Sequence, residues 1–224
     1  MNMRKLMLGN PRGRTAWQML KDKWQKEKAA ERYASTFAKA YNPLSLKPGD
    51  LVELGFVDSR SLTVETVLWY QTAAGEPDIA RYGLKDLESG ALSLLEAVAG
   101  GPDDELVHSL FEFIDEMELD PQLLDVLEHE DSLRHTVEGE GGHPVELDYD
   151  KDFVTDATLT VFQATESTTF LVTTFNYCHG TDEGESYLTV EVIADSAWMN
   201  FYLGQRLAQT DVAAMGTVSP QQAS

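Results

Sequence analysis

Between Leu46 and Asp86 the chain reads LKPGDLVELGFVDSRSLTVETVLWYQTAAGEPDIARYGLKD, and no other stretch restricts the fold so much. Runs of β-branched and aromatic residues separated by turn residues predict a meander of strands at Leu51–Leu54, Leu62–Tyr70 and Asp78–Tyr82. Pro48-Gly49-Asp50 punctuates its start, and Ala74-Gly75-Glu76-Pro77 turns the second strand into the third. A chain carrying this segment must build an antiparallel sheet and bury one face of it.

Charge divides the chain at the same place. Residues 1–47 hold 11 Lys/Arg against 3 Asp/Glu, a balance of +8, whereas residues 48–224 hold 6 against 35, a balance of −29. A basic arm of this kind lies on an acidic surface or reaches for an anionic or protein partner. With 224 residues, 42% of them hydrophobic, the chain can bury a core of its own. A single cysteine, Cys178, excludes an intramolecular disulfide. The first residues lack the apolar run of a signal peptide and no segment has the length of a spanning helix, so the expected setting is cytoplasmic.

The basic arm predicts a helix from Ala16 to about Ala40, ended by Asn42-Pro43 because proline disfavours helical geometry in the residue before it. The helix is amphipathic, with Trp17, Leu20, Trp24, Tyr33 and Phe37 on its apolar side and Lys21, Lys28, Arg32 and Lys39 on its polar side. These residues are the candidate partner-binding surface. The expected domain plan is a basic helical extension over 1–45, an α+β domain over 46–215 and a flexible tail over 216–224.

After the meander, Ser89–Ala99 reads as a short apolar helix stopped by Gly100-Gly101. Pro102-Asp103-Asp104-Glu105 has the composition of a helix start, and Leu106, Val107, Leu110, Phe111, Ile114 and Met117 recur at helical spacing. Asp120-Pro121 then caps a further helix carrying Leu123, Leu124 and Leu127. Gly139–Gly142 forms a loop between halves, and strands are predicted at Val145–Tyr149, Thr158–Ala164, Thr168–Asn176, Tyr187–Ile193 and Trp198–Leu203. The expected fold class is therefore α+β: two antiparallel sheet portions around an acidic helical middle, with a basic N-terminal helix.

Motifs that carry chemistry are few. Asp148, Asp150 and Asp152 alternate like the opening of a calcium loop, but Phe153 stands where its glycine belongs and Leu159 where its glutamate belongs. No histidine has zinc-ligand spacing to another or to Cys178. Cys178 and His179 are neighbours in an extended run and point to opposite faces, which prevents a thiol–imidazole dyad. The glycines at 139–142 lack the lysine and helix start of a phosphate cradle, and the N-terminal lysines have no base-stacking motif beside them. No catalytic residue, cofactor or metal is expected, and no specific nucleic-acid partner.

The sequences LKPGDLVEL, TVETVLWY, Arg81-Tyr82-Gly83-Leu84-Lys85-Asp86 and, near the end, FYLGQRL together resemble the YjfK-like bacterial proteins of unknown function. The resemblance covers roughly 40 residues near the front and 50 near the end; it implies a domain without established catalysis, found beside envelope-associated coiled-coil proteins of the PspA type. The acidic segment 89–135 and the basic helix depart from that pattern.

The functional expectation is a non-enzymatic cytoplasmic accessory protein that docks on a protein partner, or on itself, through the N-terminal helix. Membrane contact is disfavoured because a body of −29 is repelled by anionic lipid. The alternatives are an acidic mimic of nucleic acid that blocks a basic groove, and an enzyme assembled from scattered residues such as Tyr70, Arg81 and His179.

Overall fold

Threonine, valine and aromatic residues dominate the chain from Leu51 onward, and they build strands almost throughout. The structure, a computed structural model, describes residues 16–55, 60–73, 78–99, 105–138, 143–181 and 184–215. It divides between Lys39 and Ala40 into a helical unit and a barrel unit. The helical unit holds α1 (Ala16–Phe37). The barrel unit holds β1 (Leu51–Leu54), β2 (Arg60–Gln71), β3 (Ile79–Asp86), β4 (Leu92–Ala99), β5 (Leu106–Glu118), α2 (Pro121–His129), β6 (Ser132–Glu138), β7 (Pro144–Gln163), β8 (Glu166–Thr181), β9 (Gly184–Ile193), β10 (Trp198–Leu207) and β11 (Val212–Met215). The expected loop at 139–142 and the tail after 215 lie outside the described residues.

All strands pair antiparallel in the order β11-β1-β2-β3-β4-β5-β10-β9-β8-β7-β6. One further pairing closes the sheet: Val67 of β2 lies opposite Tyr82 of β3 on one side and opposite Phe162 of β7 on the other. The result is an eight-stranded barrel of β2, β3, β4, β5, β10, β9, β8 and β7. Two β-bulges allow the closure. Register shifts between Val64 and Thr66 in β2, and between Lys151 and Phe153 in β7. Each bulge bends its strand, so that the first part leaves the barrel to pair with β1 or β6 while the second part joins the closing seam.

This architecture overturns the α+β expectation: among the described residues eleven antiparallel strands stand against two α-helices, so the fold is dominated by sheet. The acidic middle is not helical. The segments expected as helices at Ser89–Ala99 and from Pro102 onward contain β4 and β5. Over Val107–Phe111 the physical reason is burial on both sides. Val107, Ser109 and Phe111 face the barrel interior while His108 and Leu110 face outward, and His108 is buried there. A strand covered on both faces loses the polar alternation that marks a half-exposed one, and its apolar positions then fall at helical spacing by coincidence. The helix after Asp120 is present, with the Asp120 carboxylate accepting from the Gln122 N–H at 2.8 Å.

Outside the barrel, two covers complete the core. The α2 side chain Leu127 is fully buried against Tyr149, Phe175, Tyr177, Leu188, Val190 and Met199, which project outward from β7–β10. Segment 40–50 covers the outer face of β2–β4. There the Tyr82 hydroxyl donates to Asn42 Oδ1 at 2.6 Å and accepts from the Leu44 N–H at 3.2 Å, while the Tyr41 hydroxyl accepts from the Ala99 N–H at 3.1 Å. Leu46, Val64, Val67, Leu84 and Leu95 are buried around these bonds.

Candidate functional site

Residues that lie opposite one another in register share a face of a sheet, so the barrel interior can be read strand by strand. On β2 and β3 it receives Tyr70 and Arg81; on β4 and β5, Glu96, Ser109 and Phe111; on β8 and β9, Thr174, Asn176, Thr189 and Glu191. A barrel of this size is normally filled by apolar side chains. Here a charged cluster sits at its centre.

Arg81 holds the cluster together. Its Nε donates to Glu96 Oε2 at 2.8 Å and its Nη1 donates to Glu191 Oε1 from the opposite wall. The Tyr70 hydroxyl donates to the same Glu191 oxygen at 2.6 Å. The guanidinium plane lies 4.9 Å from the Tyr70 ring centroid and 5.1 Å from that of Phe111, within cation–π range. Burial works against the Arg81 charge, but Tyr70, Glu96 and Glu191 outweigh it and hold the guanidinium protonated. Burial, followed by the Glu191 charge, pushes the Tyr70 and Tyr202 phenols well above the ordinary tyrosine range, so both remain hydrogen-bond donors.

The Phe111 ring reaches its place because Gly204 of β10 lies directly across from it. A Cβ at Gly204 would stand 2.4 Å from Phe111 Cδ1, which no real contact tolerates.

The cluster separates two cavities. One, of about 440 Å³, touches Ile79 on β3, and the other, of about 300 Å³, touches Gly83 and Leu84 on the same strand, with Arg81 between them. The larger cavity has mainly apolar walls, among them Val98, Val107, Phe111, Phe153 and Tyr187, and its polar contacts come from Glu96, Ser109, Asn176, Thr189 and Asp152. Asn176 is tied in place: its Oδ1 accepts from Thr189 Oγ1 at 2.9 Å and its Nδ2 donates to Thr174 Oγ1 at 3.2 Å. Asp152 reaches the cavity because it is the extra residue of the β7 bulge.

The candidates expected from sequence fall into three groups. Tyr70 and Arg81, named for the scattered-enzyme reading, meet in the cluster, but His179 does not join them. It lies on the outer face, its ring 5.6 Å from Tyr149, with Nδ1–H donating to the Asp148 carbonyl at 2.8 Å. Cys178 faces the other way, opposite Tyr187, and burial raises its thiol above the ordinary range. Asp148 is taken by Arg134 at 2.7 Å, and among the described residues no group of three His, Cys, Asp or Glu is arranged to hold a metal. Of the helix candidates, Lys21, Trp24, Lys28 and Arg32 are exposed, and Lys28 Nζ lies 4.0 Å over the Trp24 ring. Tyr33 and Phe37 stack at 5.8 Å. The side chains of Trp17 and Leu20 lie outside the described residues.

Glu96 and Glu191 were not singled out in the sequence. A signal existed for Glu191: it is the lone charge in the run Leu188–Ile193, LTVEVI, where a carboxylate facing inward needs a buried cation. Among the described residues no helix is long and apolar enough to cross a membrane. No protein-family profile, curated protein or solved structure matches the chain.

Proposed function

We propose that the barrel unit is a binding module that takes a small molecule into its larger cavity. One observation carries this reading: a cavity of about 440 Å³, apolar in its walls, opens above a polar cluster whose members are already fixed by one another. That volume lies in the ordinary range for small-molecule pockets, and convergent polar groups in an apolar pocket are the usual means of orienting a ligand. Binding is favoured over catalysis because Arg81, Glu191 and Tyr70 are mutually satisfied and deeply buried, and His179, the one base named with them, lies outside the barrel.

The test uses N-phenyl-1-naphthylamine, a neutral apolar dye whose emission rises when it leaves water. The full chain should bind it at one equivalent, and Val107→Trp, which fills the cavity, should abolish the rise while the protein stays folded by circular dichroism. A folded wild-type protein that leaves the dye dark, or equal emission from the Trp variant, would overturn the reading.

A second reading concerns α1. Trp24 is 55% exposed on a helix that presents Lys21, Lys28 and Arg32 to solvent, and an exposed indole flanked by cations is the composition of an interface anchor. On this reading the helix docks on a protein partner. Trp24→Ala should then weaken partner capture by the full chain more than Lys21→Gln and Lys28→Gln together; an equal loss would indicate a purely electrostatic contact.

A further inference from the structure

The formal charge of the central cluster does not balance. One guanidinium, Arg81, faces two carboxylates, Glu96 and Glu191. The two halves of the cluster also differ in access. The side chains of Arg81 and Glu191 are 3% and 2% exposed, whereas that of Glu96 is 16% exposed and lines the larger cavity. The uncompensated negative charge therefore opens into the cavity through Glu96. Asp152 adds a second carboxylate at its lining, and among the described lining residues there is no lysine or arginine. Aromatic rings complete the wall: Phe111, Phe153 and Tyr187 line it, and Phe153 is 45% exposed. Carboxylates and aromatic rings together are the side chains that recognise an organic cation.

We infer that the cavity selects a small molecule with an apolar body and a single protonated amine, whose ammonium group pairs with Glu96 and whose body lies against Phe111, Phe153 and Tyr187. The inference rests on the proposal that the cavity is a ligand site, and adds the class of ligand. An acid is disfavoured by charge, since its carboxylate would enter a cavity lined by Glu96 and Asp152 with no lysine or arginine among the described lining residues. A neutral analogue fits the walls but leaves the excess negative charge of the cluster uncompensated.

Displacement of N-phenyl-1-naphthylamine from the full chain by hexylamine, hexanol and hexanoate at neutral pH tests it. Hexylamine should displace the dye at about tenfold lower concentration than hexanol, the ratio expected for one charge-assisted contact, and hexanoate should be the weakest of the three. Glu96→Gln keeps an acceptor for Arg81 Nε and removes the excess charge, so it should bind the dye as before and lose the preference for the amine. If the dye binds but hexanoate or hexanol competes as well as hexylamine, the amine inference falls and the ligand site stands. If Glu96→Gln retains the preference, Glu96 is not the counter-ion. If no dye enters the wild-type barrel, the ligand site itself falls.

Discussion

Arg81 on β3 and Glu191 on β9 meet across the barrel, 110 residues apart in the chain, and each is almost fully buried. Neither has water to fall back on. Removing one partner leaves the other as an uncompensated buried charge, which typically costs about 3–5 kcal/mol. Arg81→Met should therefore lower the stability measured by urea unfolding by that order. In Arg81→Met combined with Glu191→Leu the loss should be smaller than the two single losses added together, because the second change removes the stranded carboxylate. Additive losses would show that the two residues do not act as a pair.

Gly204 and Phe111 make a steric prediction. Gly204→Ala drives a methyl into the Phe111 ring and should destabilise the barrel by about 1–3 kcal/mol, the usual cost of overpacking. Adding Phe111→Leu should recover part of the loss, since the smaller side chain vacates the clash. Denaturant midpoints of the two variants check both statements; a double variant less stable than either single one would contradict the mechanism.

His108 gives the barrel an acid-side weakness. The residue is 5% exposed, neither ring nitrogen has a hydrogen-bond partner among the described residues, and burial lowers its proton affinity below that of a free imidazole. Above about pH 6.5 both folded and unfolded chains hold this residue neutral and it contributes nothing to the pH dependence. Below that pH the unfolded chain binds the proton first, so stability falls as pH drops from about 6.5 toward the lowered folded value. Urea midpoints at two pH values either side of about 6.5 should separate wild type from His108→Leu, with the flatter dependence in the variant. Parallel curves would mean that His108 takes its proton without penalty.

The division between Lys39 and Ala40 predicts where the chain can be shortened. A protein beginning at residue 40 retains Tyr41, Asn42 and Leu44, and with them the bonds to Ala99 and Tyr82. It should unfold cooperatively near the full-length midpoint. A protein beginning at residue 46 strands the Tyr82 hydroxyl and uncovers the outer face of β2–β4, and should melt several degrees lower, because an unsatisfied buried group costs about 1–3 kcal/mol. Equal midpoints would show that segment 40–45 does not stabilise the barrel.

Much of this fold can be read in the residues, and the failures have causes. The meander from Leu51 to Asp86 alternates and is bounded by Pro48-Gly49-Asp50, so its strands were visible; so were the threonine-rich strands after Val145, although those expected at Val145–Tyr149 and Thr158–Ala164 are one strand, β7. β4 and β5 were not, because cover on both faces erased the period of two over Val107–Phe111 and Pro102-Asp103-Asp104-Glu105 has the composition of a helix start. The cluster was half visible. Tyr70 and Arg81 stood among the scattered candidates, whereas Glu96 and Glu191 were two among 38 carboxylates. Local pattern could not reveal that they face Arg81, because the facing is created by closure of the barrel.

The pairing of β2 with β7 also sets the order in which the chain can be completed. Thr66–Gln71, TVLWYQ, carries no charge and no proline, and its closing partner, Thr158–Gln163, emerges from the ribosome long afterwards. Through that interval a nascent chain exposes an unpaired strand edge of high β-propensity, the kind of segment that recruits copies of itself. Closing so long a loop is also slow. Substitutions along this seam will therefore register first in refolding yield and its dependence on protein concentration, and chaperones that shield strand edges will matter more to this protein during synthesis than afterwards.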